Sequence, residues 1–218
     1  MRIKAVLFDM DGTIADTEPF HIKAIQEILK EDLNLEVSDD ELDEYIGLIY
    51  PEKLKEIFKK RNIQENIGEL SNRIGKRYIK LVEKRINFTP GAENLLKLLK
   101  KNDFLIGLIS SSQRKSMNSI TKVTNSKKYF NVTVAGNEVE KRKPDPECYL
   151  KAEKELNVKP EECVVVEDSV PGVESAKNAG MFCIAIPNKY IKNGDFSKAD
   201  IVVNSLNEID LDLLNSLE

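Results

Sequence analysis

Histidine occurs once in the 218 residues, which removes the imidazole-rich sites that suit zinc, copper or nickel. Cysteine occurs three times, at Cys148, Cys163 and Cys183. That spacing is too wide for a zinc knuckle, and an odd number cannot all pair within one chain. The three therefore read as reduced residues of a cytoplasmic protein, with Cys163 and Cys183 in apolar strand patterns where cysteine is a small core residue. No apolar run approaches the roughly 20 residues needed to cross a bilayer. The start, Met1-Arg2-Ile3-Lys4, runs directly into a strand pattern without a signal-peptide cleavage site. A membrane partner is accordingly not expected. A positive balance is also missing: 33 basic against 37 acidic residues leave a formal net charge of -4. Nucleic-acid binders carry a clustered basic surface, so a small molecule is the expected partner. What remains is soluble globular composition, 41% hydrophobic and 32% charged, long enough for one or two domains with a real core.

Short apolar runs alternate with longer amphipathic ones, the pattern of a parallel sheet covered by helices. Strands are expected at 3–8, 104–109, 132–135, 163–166 and 183–186, with a short one at 201–203. Helices are expected at 92–101, 112–123, 146–156 and 170–179, the last stopped by Asn178-Ala179-Gly180. Between Glu18 and Arg85 no strand pattern occurs. Phe20, Ala24, Ile25, Ile28 and Leu29 recur at helical spacing, as do Leu54, Ile57 and Phe58. So long an insertion after the first strand is better read as a separate helical domain than as one crossover. The expected division is an α/β domain from 1–16 and 88–218, with an all-helical insertion at 17–87.

The run Ala5-Val6-Leu7-Phe8-Asp9-Met10-Asp11-Gly12-Thr13 ends an apolar strand in two carboxylates spaced two apart. Residues i and i+2 of a strand face the same side, so Asp9 and Asp11 can look into one site. Like charges that close are costly unless a cation or proton separates them, and Gly12 lets the backbone turn tightly enough to approach an anion. Three further features sit just past strand or before helix ends, where open parallel sheets bind ligands. Ile106-Gly107-Leu108-Ile109 ends in Ser110-Ser111-Ser112; Lys141-Arg142-Lys143-Pro144-Asp145-Pro146 precedes a helix; Val164-Val165-Val166 ends in Glu167-Asp168-Ser169. Hydroxyls and N–H groups at a helix start are ready phosphate ligands.

These four motifs, in this order, resemble the haloacid dehalogenase superfamily, and within it the phosphatases and phosphoglucomutases with a small helical cap. The resemblance implies a Rossmann-like parallel sheet with an inserted helical cap, and a fixed assignment of roles. Asp9 would attack phosphorus and become an aspartyl phosphate; Asp11 would protonate the departing oxygen and then take a proton from the hydrolytic water. Magnesium (Mg2+) would be held by Asp9, the backbone carbonyl of Asp11 and Asp168, with Glu167 tuning the site or binding through water. Ser110 and Lys143 would hold the phosphoryl group, with Gly12, Thr13 and Ser111 beside it. In the cap, Thr17, Glu18 and His21 match an Asp-Thr-Glu-x-x-His segment of capped relatives, and Gly47 and Tyr50 fall on the specificity loop. Relatives that cleave carbon–halogen bonds lack an acid at the position of Asp11, so Asp11 favours phosphate esters.

Each residue also has a plainer reading. A lone Asp-x-Asp-Gly is commonly a turn, and Glu167-Asp168 could cap a helix. Ser112 reads as the N-cap of the helix after it. Lys141 and Arg142 read as solvated surface, as do Lys53 and Lys55, and His21 could be an ordinary exposed side chain. Mutases of the family carry a cap arginine shortly after a glycine of the specificity loop, where this chain has Gly47-Leu48-Ile49-Tyr50-Pro51. The expected activity is therefore magnesium-dependent hydrolysis of a small phosphomonoester, such as a sugar phosphate, by a monomer acting on a phosphorylated metabolite. The alternatives are a β-phosphoglucomutase-like isomerase and a non-catalytic regulator that binds a phosphorylated ligand.

Overall fold

A computed structural model describes residues 2–45, 48–188, 190–191 and 194–217. The chain divides into two compact units, one formed by 1–16 with 86–218 and the other by 17–85.

The first unit is an α/β fold. Its strands are β1 (Ala5–Asp9), β2 (Leu105–Ser110), β3 (Val132–Ala135), β4 (Cys163–Glu167), β5 (Phe182–Ala185) and β6 (Ile201–Val202). All pair in parallel, in the order β3-β2-β1-β4-β5-β6. The chain fills one side of β1 and then returns to fill the other, so the strand order reverses at β1 and β4. Such a reversal opens a crevice at the carboxyl ends of the strands. The β-branched and apolar runs AVLF and CVVV suit strands buried on both faces. Ala5, Leu7, Ile109, Cys163 and Val165 face a core shared with Tyr149 and Ala152 of α7 (Glu147–Leu156) and with Val173 and Ala176 of α8 (Val170–Asn178). The alternate positions Val6, Phe8, Leu108, Val164 and Val166 are equally buried. Helices α5 (Ala92–Lys101) and α6 (Arg114–Val123) complete the cover, each with an apolar stripe, and α9 (Leu211–Asn215) follows the last strand.

The second unit is all helical: α1 (Glu18–Leu33), α2 (Asp39–Asp43), α3 (Tyr50–Arg61) and α4 (Ile67–Lys84). Asn34 and Asn62 adopt left-handed backbone and end α1 and α3, while the side chains of Ser38 and Asn66 cap the starts of α2 and α4. Ile22, Ile25 and Leu29 of α1 and Leu70, Ile74 and Val82 of α4 supply the apolar stripes. Arg77 adds ion pairs from α4 to Glu27 and Glu31 of α1. The two units include no helix long and apolar enough to cross a membrane among the described residues.

Two local expectations are corrected. Ser112 does not cap α6: the helix starts at Arg114 with Gln113 as its N-cap, and the Ser112 N–H instead donates to the Ser110 hydroxyl at 2.9 Å. Lys53 is not on a solvated face but 4% exposed, with its ammonium 3.2 Å from Glu18 Oε1. The position one turn into α3 points inward, and the charge is tolerated because a carboxylate meets it there. Gly47 lies outside the described residues.

Candidate active site

The register of the sheet sets the site. Phe8 pairs with Val166 and Ala185 with Glu167, so Asp9 and Glu167 lie level at the ends of adjacent strands, on the face covered by α7 and α8. Asp9 also pairs with Ile109, which brings Ser110 just beyond it on the other neighbour. Residues 101 and 158 positions beyond Asp9 in the chain thus meet it because three parallel strands end together.

Lys143 enters from the loop before α7 and bridges the two acids. Its Nζ donates to Asp9 Oδ1 at 2.6 Å and to Glu167 Oε1 at 2.6 Å, with the lysine side chain only 6% exposed. Burial works against this ammonium, but Asp9 and Glu167 outweigh it and hold its pKa well above the usual lysine value. On the same strand end as Asp9, the Asp11 carboxylate accepts a hydrogen bond from the Ser110 hydroxyl, Oγ to Oδ2, at 2.7 Å. Ser110, Ser111 and Lys143 line one small cleft together with Gly136 and Cys148. Gly136 is required there, since a Cβ would fall 2.1 Å from the Ser111 carbonyl oxygen. Thr13 is buried in the turn after Asp11, and its hydroxyl has no hydrogen-bond partner among the described residues.

Asp168 stands one residue beyond the strand end. Its Oδ2 accepts from the Asn188 amide at 2.7 Å. Burial, then the charges of Asp9 and Glu167, push its pKa well above the ordinary carboxylate value. Asp9 is likewise pushed up to about 8 by burial, against the pull of Lys143. Two buried carboxylates, both with raised values, are a set of hard oxygen donors short of positive charge, which fits a hard divalent cation. Gly12 supports the fit: at φ 85° it passes so close that a Cβ would lie 2.0 Å from Asp168 Oδ2. Among the described residues no three acidic, histidine or cysteine side chains already form a metal cage.

Glu167, expected to tune the site or to bind the metal through water, is engaged at both oxygens by the protein itself. Its Oε1 accepts from Lys143 and from the Tyr149 hydroxyl at 2.9 Å; its Oε2 accepts from the Asp168 N–H, the Ser169 N–H and the Ser169 hydroxyl. Five donors thus occupy the two oxygens in this structure. The carboxylate lies tucked beneath α8, where Gly172 leaves the space.

The remaining expected residues belong to the helical unit. His21 Nδ1 lies 2.6 Å from the Tyr50 hydroxyl, and its ring stacks on Tyr78 at 4.0 Å. Glu18 pairs with Lys53. Glu18 and His21 share one face of α1, and Tyr50 and Lys53 one face of α3, so the two pairs form a single polar seam. Thr17 is buried just before α1. Sequence reasoning missed Asn188, Tyr149 and the place of Lys53. Asn188 had a signal, being a polar residue just past the apolar strand next to β4; Tyr149 had none, since an inward-facing tyrosine on an amphipathic helix reads as core.

The model of the haloacid dehalogenase-like hydrolases matches residues 6–186. YhcW of Bacillus subtilis is 37% identical over 215 residues, covering 97% of this chain and 96% of its own. A phosphorylated carbohydrates phosphatase of Thermotoga maritima is 32% identical, covering 82% of each chain. Among solved structures, a CbbY variant of Rhodobacter sphaeroides in complex with xylulose-(1,5)bisphosphate superimposes with a TM-score of 0.87 at 27% identity, covering 98% of this chain and 99% of that one.

Proposed function

We propose that this chain, which belongs to the haloacid dehalogenase-like hydrolases, is a phosphatase that hydrolyses a small phosphomonoester, a sugar phosphate in particular, through Asp9. The observation that carries this reading is the Lys143 ammonium held 2.6 Å from Asp9 beside an Asp11 oriented by Ser110. Phosphatases of carbohydrates among its relatives support the substrate class.

A carboxylate and a phosphoryl dianion repel, so positive charge must already be in place before they meet in line. Lys143 supplies one such charge. Asp9, Asp168 and the main-chain carbonyl of Asp11 would hold a magnesium ion, which when bound supplies further charge against the phosphoryl oxygens. Asp9 Oδ attacks phosphorus and the ester P–O bond breaks, leaving an aspartyl phosphate. Asp11, in its protonated form, gives its proton to the departing oxygen, and the Ser110 hydroxyl fixes which carboxylate oxygen is turned away from it. A water then attacks the same phosphorus while the Asp11 carboxylate takes its proton, which frees Asp9 and inorganic phosphate. Ser110 and the backbone around Ser111 hold the phosphoryl oxygens. Residues 17–87 serve as the cap that selects the leaving group, and the enzyme acts as a monomer in the cytoplasm.

Hydrolysis of p-nitrophenyl phosphate with and without magnesium tests the reading. Wild type is expected to be active and Asp9→Asn inactive; equal rates from the two would overturn it. One observation favours a second reading: beta-phosphoglucomutase of Bacillus subtilis is 31% identical over 98% of this chain. Against it, Lys53 of the helical unit is already neutralised by Glu18, so it is not a cation ready for a second phosphate. With β-glucose 1-phosphate, free phosphate should exceed glucose 6-phosphate.

A further inference from the structure

Lys143 can act only if its ammonium stands in one place, and the groups that fix that place extend beyond the acids it bridges. Glu167 is anchored at Oε2 by three donors from 168–169. Its other oxygen, Oε1, takes Lys143 at 2.6 Å and the Tyr149 hydroxyl at 2.9 Å. Tyr149 is fully buried on α7, and its ring also lies 4.9 Å from Lys143 Nζ, within cation–π range. One side chain therefore touches the lysine twice, by its ring directly and by its hydroxyl through Glu167.

We infer that Tyr149 is a positioning residue, which through Glu167 fixes the Lys143 ammonium against Asp9; this rests on the phosphatase reading. An ammonium has three N–H donors. Two are committed, to Asp9 Oδ1 and Glu167 Oε1, and the third is the one available to a phosphoryl oxygen. The tyrosine hydroxyl occupies one lone-pair direction of Oε1 and disperses part of its charge. Without it, Oε1 presents all its lone-pair density to the lysine, and the ammonium is drawn toward Glu167, away from the nucleophile and the transferring group. The aromatic ring, 4.9 Å from Nζ, contacts the ammonium independently of the hydroxyl. Phenylalanine would keep the ring and lose only the hydroxyl, so the two contributions separate.

The experiment is a double-mutant cycle of Tyr149→Phe and Glu167→Gln, read as kcat and KM for p-nitrophenyl phosphate and as the inhibition constant for inorganic phosphate. A hydrogen bond to a charged group is worth enough that Tyr149→Phe should lower kcat about 5- to 30-fold and weaken phosphate inhibition. In the Glu167→Gln background the same change should cost less than about twofold, because the route to Lys143 is already cut. A merely structural tyrosine would instead give losses that multiply. The inference is overturned if Tyr149→Phe stays within twofold of wild type, or if the two losses multiply in the phosphate inhibition constant. Should Tyr149→Phe melt far below wild type, 3-fluorotyrosine at 149 changes the donor strength at nearly constant volume, and an unchanged kcat would then overturn it. A wild type without phosphatase activity would instead sink the phosphatase reading itself.

Discussion

Gly172 sits in the first turn of α8, and the prediction that most directly probes the buried carboxylate is Gly172→Ala. A Cβ built there falls 1.8 Å from Glu167 Oε1, 1.9 Å from its Cδ and 2.2 Å from Oε2. Contact with all three carboxylate atoms means that no side-chain rotation of a neighbour relieves the overlap; Glu167 itself must retreat by more than about an ångström. The same carboxylate accepts from Lys143, Tyr149, Ser169 and two backbone N–H groups, so the retreat breaks a buried charge pair. Breaking such a pair costs about 3–5 kcal/mol, and the better helix propensity of alanine returns about 1 kcal/mol. A net loss of about 2–4 kcal/mol corresponds to a melting temperature roughly 5–15 °C lower for a chain of this size. Thermal unfolding followed by circular dichroism would measure it, alongside p-nitrophenyl phosphate turnover, which should fall at least about 100-fold as Lys143 loses its anchor. Gly75→Ala is the control. Its nearest neighbour outside the helix backbone is 4.0 Å away on Tyr50, so it should stabilise the protein by about 0.5–1 kcal/mol. A Gly172→Ala protein that melts within about 2 °C of wild type and remains active would refute the placement of Glu167 beneath α8.

Ser110→Ala removes the 2.7 Å hydrogen bond that orients Asp11; kcat should fall about 10-fold or more with little change in melting temperature, and an unchanged kcat would detach Ser110 from the acid. The folded values of Asp9, about 8, and Asp168 are raised by burial, so their contribution to stability is present at low pH and is lost as pH rises through those values. Magnesium, which favours the ionised carboxylates, should therefore raise the melting temperature more at about pH 8 than at about pH 5, and equal shifts would contradict the two-acid site. Glu138 is held down at about 2 chiefly by its hydrogen bond from Arg114. A depressed carboxylate stabilises above its ordinary value of 4.5 and loses that contribution as pH falls toward about 2. After discounting for partial exposure, Glu138→Gln should cost about 1–2 kcal/mol near neutral pH and little near pH 2, as urea titrations at the two pH values would show.

The parallel sheet was legible because each of its strands is a short apolar run between turn signals, and the structure finds all six. Their limits moved by a residue or two: β1 runs on to Asp9 and β4 to Glu167, because the ladder continues through an acid that the apolar pattern leaves out. The short α9 was not read, although the Asp210 side chain caps it through the Leu213 N–H, a signal present in the sequence. Within the site, motif order and strand ends pointed to Asp9, Asp11, Ser110, Lys143 and Asp168, while what escaped was a matter of facing. Lys53 turns inward toward Glu18, and Tyr149 toward Glu167. Composition and periodicity report which residues favour burial, but they do not reveal that a lysine or a tyrosine hydroxyl will be buried because a particular carboxylate waits for it.

The charges around the proposed nucleophile bear on how a cation would be held there. Three buried carboxylates, Asp9, Glu167 and Asp168, face one ammonium, Lys143. Left at that, the site carries an excess of two negative charges in a poorly solvated place, where burial first and then neighbouring carboxylates raise the values of Asp9 and Asp168. A protonated Asp9 is a poor nucleophile. On the proposed reading, Asp9 and Asp168 would hold a divalent cation, whose charge would bring the count to neutral and favour the ionised form of Asp9. On the proposed reading Glu167 would not compete for that ion, because five donors already occupy it. Its negative charge is committed to the lysine, so the proposed cation would fall to Asp9 and Asp168. Replacing Glu167 by glutamine should therefore leave magnesium affinity, measured by calorimetry, within about threefold of wild type while turnover falls to a lower but measurable rate, whereas Asp168→Asn should lose the ion by about 10- to 100-fold. A Glu167→Gln protein that loses magnesium as steeply as Asp168→Asn would show that the acid serves the metal after all.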